Sequence, residues 1–219
     1  MDQVRAQVAR LIATEAGQAR LNRFFVDWMG AEEVPQPPAM LSNYLTLGDA
    51  PYQGRGFSKK MRQEFDDFVH GMVWDRNGSF EDLLTAPIAY PRDSDGQTIY
   101  GTSGFGEGQV FDAPHHPGLL TRSALLIATG EAPNIIRRAV RLRERVLCQY
   151  LPPPDPSIVS SRLTDLAAMD PFEVPNHERV TELTSPAACA TCHVHINPIG
   201  FVFEAYDPAG HYETRQNLY

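Results

Sequence analysis

Two cysteines and a histidine, in the run Cys189-Ala190-Thr191-Cys192-His193, are the residues whose types and spacing most directly imply chemistry. The pattern C-x-x-C-H is the attachment signature of a c-type haem. Two thiols three residues apart can each form a thioether to one vinyl group, and the adjoining imidazole can bind the iron. On a helix, positions i, i+3 and i+4 share one face, so the three groups point at one flat ring. Two other chemistries use the same residue types. With His195 they supply donors suited to zinc, although zinc ligands usually come from two separated pairs and these crowd into one short stretch. A dithiol redox site would want the pair after a strand in a βαβ setting, which the surrounding pattern lacks.

Cys189, Cys192 and His193 account for one face of an iron, and the other face needs a donor of its own or stays open. No methionine follows His193. Met169 and His177 upstream and His211 downstream are the candidates for the distal position, each of a type that more often fills a core or surface role. His195 lies two residues past His193 and would point away from the iron on a helix. His115 and His116 sit in a glycine-rich stretch and are further candidates. An open sixth position would admit small ligands.

Composition excludes several function classes. The chain has 219 residues, with 42% hydrophobic and 21% charged, a globular composition. No apolar run approaches the roughly 20 residues of a membrane span. The formal charge of −8 argues against nucleic acid as a partner. An acidic redox protein is steered towards a basic partner. Three cysteines do not make a disulfide framework. The third, Cys148, follows an apolar helix end and reads as a buried free thiol. No G-x-S-x-G is present, and Asp66-Asp67 reads as a solvated face. Gly101-Thr102-Ser103-Gly104-Phe105-Gly106 has neither the strand before it nor the helix after it that a phosphate loop needs.

The elements that must position the motif read as helices. Val4, Val8 and Leu11 recur at helical spacing, as do Leu21, Phe24, Phe25 and Trp28. A helix opening at Ser58 carries Met61, Phe65, Phe68 and Met72 on one face. Ser79-Phe80-Glu81-Asp82 starts a short capped helix. Residues 91–118 carry repeated glycines and no clear period, which predicts a long loop. A helix is expected from about Leu119 to Ala128. A second, stronger one has Ile135, Ala139, Leu142 and Val146 as its stripe. Arg137, Arg138, Arg141, Arg143 and Arg145 cover its remainder, either as a solvated basic face or as partners for haem propionates. Leu151-Pro152-Pro153-Pro154-Asp155-Pro156 is a stiff connector at 151–156. Ser185-Pro186 starts the motif helix. Asn197-Pro198-Ile199-Gly200 is expected to stop it just past the ligand.

The order of these words resembles a family. From about Pro117 the chain is similar to the haem-binding C-terminal region of large bacterial multidomain proteins, which carry the adjoining domains of unknown function 1592 and 1588. The shared words are Pro117-Gly118-Leu119-Leu120-Thr121, Arg143-Glu144-Arg145-Val146-Leu147-Cys148, Leu151-Pro152-Pro153-Pro154 and the motif itself. After the motif come Asn197-Pro198-Ile199-Gly200-Phe201, Glu204, Tyr206-Asp207 and Gly210. Residues 1 to 116 are similar to the preceding helical domain through Phe24-Phe25-Val26-Asp27-Trp28 and Phe80-Glu81-Asp82-Leu83-Leu84. The resemblance implies a cytochrome-like, extracytoplasmic protein, in the periplasm or at the cell surface, with covalent haem. It also implies that the chain is a piece of something longer. Three departures stand out, one of them Gly210-His211-Tyr212-Glu213, where the family often has arginines flanking an aromatic after the final glycine. The family commonly has Asp where this chain has Asn197. Many members carry a histidine where this chain has Leu183.

The expected architecture is mainly α, with little or no sheet. A helical domain with a long glycine-rich loop spans 1–116, and a small, loop-rich α-helical c-type haem segment spans 117–219. The expected function is a cytochrome-like domain holding one haem c for electron transfer. A haem enzyme with an open sixth position, peroxidase- or oxygenase-like, and a structural zinc module are the alternatives. The expected partner is a redox protein or the rest of a larger multidomain protein, with no nucleic acid and no membrane span in this chain.

Overall fold

A computed structural model of the chain describes residues 1–35, 56–111, 115–127, 134–167, 169 and 174–212. Among these residues the fold is mainly α, as expected, with ten α-helices and one two-stranded sheet. The helices are α1 (Asp2–Ile12), α2 (Glu15–Met29), α3 (Phe57–His70), α4 (Phe80–Thr85), α5 (Ser94–Tyr100), α6 (Ser123–Leu126), α7 (Ile135–Arg145), α8 (Pro156–Ala167), α9 (Asn176–Thr184) and α10 (Ala187–Val202). Strands β1 (Ile88–Ala89) and β2 (Gln109–Val110) pair antiparallel, Ile88 opposite Val110. The chain forms two compact units, one reaching to Leu125 and the other starting at Leu126. The two family-like halves were expected to divide near residue 116.

The first unit is built on α3. Met61, Phe65 and Phe68 are at most 1% exposed and Met72, in the π-helical turn after α3, is 3% exposed, so the expected apolar stripe is the core face, and Phe57 joins it. The helix begins one residue before Ser58. Its N-cap is Gly56, and the Ser58 hydroxyl instead donates to the Pro35 carbonyl at 2.6 Å. Ser79 and Asp82 form the expected capping box at the start of α4. The stripe on α1 finds no core, because Val4, Val8 and Leu11 are exposed. The glycine-rich stretch is not one loop. It holds α5, capped by the Asp93 side chain on the Gly96 amide, and then β2.

A carboxylate also lies in this core. The Glu64 and Arg122 side chains are both 0% exposed and meet at 3.1 Å. Glu64 Oε1 also accepts the Tyr90 amide at 3.2 Å, and Oε2 accepts the Tyr100 hydroxyl at 2.8 Å. Arg122 donates further to the carbonyls of Gly118, Ile88 and His116. Its guanidinium lies over the rings of Phe68 and Tyr100, 4.6 and 4.7 Å from their centroids. Burial and the Glu64 charge push the Tyr100 hydroxyl well above its ordinary range, so it stays a neutral donor. Drawing Arg122 inward also breaks the helix expected from Leu119. The segment becomes a 3-10 turn (Leu119–Thr121) and then α6, while the expected end at Ala128 lies outside the described residues. Gly118 has φ of +63°, and a Cβ there would fall 2.0 Å from the Leu84 carbonyl oxygen, so no other residue fits.

The second unit packs α7, α9 and α10 together. Leu126, Phe203 and Tyr206 form a core cluster, with Leu142, Ile199 and Tyr212 against it. The connection at Leu151 runs extended only to Asp155, whose carboxylate accepts the Ser157 amide at the start of α8. Arg138, expected on a basic face, is buried instead. Its guanidinium donates to the carbonyls of Leu126, Phe203, Tyr206 and Asp207 at 2.5–3.0 Å. Burial lowers its pKa to about 9, which leaves it charged at neutral pH. Cys148 is exposed rather than buried, on backbone with φ of +53° just past α7.

Removing one partner from a buried ion pair strands the other charge and costs about 3–5 kcal/mol. Arg122→Ala is expected to destabilise the first unit by that amount. Both tryptophans, Trp28 and Trp74, lie in this unit, so the tryptophan fluorescence midpoint in urea reads it separately from the second unit.

Candidate haem-attachment site

The motif lies in the first half of α10. Pro186, expected as the first helical residue, is instead the N-cap, so the helix starts one position later, at Ala187. Cys189, Cys192 and His193 fall at i, i+3 and i+4, so they share one side. All three are half-buried, and both cysteines are free thiols. His195 is exposed, as its helical position requires.

The helix does not stop at Asn197-Pro198-Ile199-Gly200. It continues through Pro198 to Val202. Proline lacks the amide that would bond one turn back, a local cost that the packing of α10 offsets. Gly200 is what allows that packing. It is buried, and a Cβ on it would lie 2.8 Å from the Ile135 carbonyl oxygen of α7. Arg138 holds the carbonyls just beyond the helix, and Arg143 donates to the His195 carbonyl at 2.8 Å.

Continuity places Asn197 one turn after His193. Asn197 Oδ1 lies 2.8 Å from His193 Nδ1, and Asn197 Nδ2 donates to Thr184 Oγ1 at 2.9 Å. The Thr184 hydroxyl donates to the Val180 carbonyl at 2.7 Å. A histidine that binds a metal through one ring nitrogen almost always donates the other N–H to an oxygen acceptor, which fixes the ring and its tautomer. His193 has that partner on Nδ1, which leaves Nε2 for a metal. The donor chemistry of this site fits a covalent haem: two free thiols and one oriented imidazole on a single helical side.

His177 is at the start of α9, which runs antiparallel to α10, since His177 meets Glu204 and Thr184 meets Asn197. Its Nδ1 contacts the Glu204 carboxylate at 2.8–3.0 Å, and its ring packs edge-on against Phe201. At about 1.5 Å per residue, Glu204 stands roughly 16 Å along the helix direction from His193. His211 lies in the turn closed by the Tyr206–Tyr212 bridge, where burial lowers its pKa. Met169 is half-buried between α8 and α9. His116 belongs to the first unit, buried with Nδ1 3.1 Å from the Thr121 carbonyl oxygen. Leu183, where relatives often carry histidine, is buried on α9. Among the described residues, no three His, Cys, Asp or Glu side chains converge to hold a metal ion. No described helix is long and apolar enough to cross a membrane.

Asn197 and Thr184 were not singled out by the sequence as partners of His193. The signal was the i, i+4 spacing of His193 and Asn197, hidden behind the stop signals of Pro198 and Gly200.

Gly200→Ala forces a methyl against the α7 backbone. Overpacking of this kind costs about 1–3 kcal/mol. Val202→Ala, at a side chain 72% exposed, is the control and should stay within about 0.5 kcal/mol of wild type. Denaturation followed by far-ultraviolet circular dichroism, with the tryptophan signal marking the first unit, checks both.

Comparison with known proteins places this geometry in context. Residues 1–101 match the family model described as PSD4, protein of unknown function (DUF1592). Residues 116–216 match the one described as PSCyt3, protein of unknown function (DUF1588). No curated protein and no solved structure matches the chain. Two neighbouring stretches of the chain are thus similar to these models, and the C-x-x-C-H helix lies inside the second stretch.

Proposed function

We propose that the second unit holds one haem c and acts in electron transfer. The observation that carries this reading is the shared side of α10. Two free thiols stand one turn apart, and the imidazole beside them has its Nδ1 engaged by Asn197. Each thiol would add its sulfur and its hydrogen across one vinyl group of the porphyrin, so attachment is redox-neutral. Haem, when bound, supplies a one-electron iron couple. The chain's own work is to orient His193 through Asn197 and to cover one side of the site with α9 and α10. The net charge of −8, made more negative by two propionates, favours a basic redox partner. Haem c is attached outside the cytoplasm, so the proposed location is extracytoplasmic.

A second reading, a haem enzyme with an open distal position, draws on His177, which is held against Glu204 and Phe201 at the other end of the α9–α10 pair from Thr184 and Asn197. The zinc reading has less support, because among the described residues no three His, Cys, Asp or Glu side chains group closely enough to hold a metal ion.

The chain should be produced with a haem-attachment machinery and run on denaturing electrophoresis. Haem staining is expected in the wild type and absent from the double variant Cys189→Ser, Cys192→Ser. A reduced spectrum unchanged by carbon monoxide is expected for electron transfer, and a shifted one supports the open-site enzyme. An unstained wild-type chain carrying stoichiometric zinc overturns the haem reading.

A further inference from the structure

We infer that Asn197 is a positioning residue that sets the donor strength of His193, through a one-way hydrogen-bond chain anchored on α9 by Thr184. The inference rests on the haem c reading above and adds how the iron of that site is tuned.

Direction follows from counting protons. Thr184 Oγ1 has one, and it goes to the Val180 carbonyl at 2.7 Å. The hydroxyl therefore accepts from its other neighbour, and only the amide nitrogen of Asn197 can donate, at 2.9 Å. This fixes which end of the carboxamide faces which way. Asn197 Oδ1 is turned to His193 Nδ1 at 2.8 Å. A carboxamide oxygen has no proton to give, so the ring supplies it and His193 is the Nδ1–H tautomer. Nε2 keeps its lone pair. Thr184 is only 8% exposed, so water does not readily replace its hydroxyl.

A merely structural role accounts for less of this. Asparagine is a poor helix former, and its side chain ordinarily competes for backbone groups at caps and turns. In α10 it is held mid-helix between two side-chain partners on different helices, with proline immediately after it. An acceptor on Nδ1–H drives electron density into the ring, makes Nε2 a stronger donor and stabilises the oxidised iron. Asn197 thus holds the potential lower than an apolar residue would.

Two measurements test this. In the haem-free chain, nitrogen-15 NMR of the His193 ring should show protonated Nδ1 and bare Nε2 in the wild type, and loss of that preference in Asn197→Leu. In the haem-loaded chain, the midpoint potential should fall in the order Asn197→Leu, wild type, Asn197→Asp. Thr184→Val keeps the volume but removes the anchor, so it should shift the potential towards that of Asn197→Leu, and Thr184→Ser should restore it. The Thr184 pair keeps the test decisive if the Asn197 variants fail to fold. Covalent haem in every folded variant with indistinguishable potentials overturns the tuning role and leaves the haem reading standing. A wild-type chain without covalent haem, whatever its tautomer, overturns the haem reading and the tuning role with it.

Discussion

One buried guanidinium fixes the geometry on which the second unit depends. Arg138 leaves α7 and donates to backbone carbonyls on both sides of its core, Leu126 before and Phe203, Tyr206 and Asp207 after α10. Burying that charge is costly, and only a full set of acceptors makes it tolerable. With those carbonyls held, the end of α10 lies against α7, and Gly200 lets the two backbones approach. The helix has no freedom to turn away at Pro198. Continuity of α10 then places Asn197 over His193, and the antiparallel α9 brings Thr184 to Asn197. The orientation of one imidazole is thus traced back to an arginine on another helix.

The first unit solves its core in a related way. Arg122 also sits at the centre of an aromatic core and binds carbonyls, and it adds a buried carboxylate, Glu64. Both arginines come from the stretch that matches DUF1588, yet Arg122 completes the unit formed mainly by the DUF1592 stretch. Compact units and sequence modules therefore divide at different places. The segment from Gly118 to Arg122 is needed by the module before it.

Much of the fold was legible in the chain because it is local. The stripe of Met61, Phe65 and Phe68 and the Ser79 capping box each rest on spacing or on a short-range hydrogen bond. The motif residues were legible for the same reason. What escaped was set by tertiary contact. Pro198 and Gly200 carry strong local stop signals, but the close approach to Ile135 overrides them. Arg138 reads as one member of a basic face until its carbonyl acceptors, most of them more than sixty residues away in sequence, are in place. Arg122 breaks an expected helix because Glu64 lies inside the core. Val4, Val8 and Leu11 have helical spacing without burial, since periodicity reports a face and not what covers it. Alpha5 was present in the sequence through Asp93 and Gly101, and frequent glycines masked it.

The central claim is that Cys189 and Cys192 are the covalent anchors of one haem. The intact mass of the denatured chain, taken with a count of alkylatable thiols after haem maturation, tests it most directly. A mass increased by one haem and a single reactive thiol, the exposed Cys148, is the expected result. An unmodified mass with all three thiols open to alkylation would contradict it.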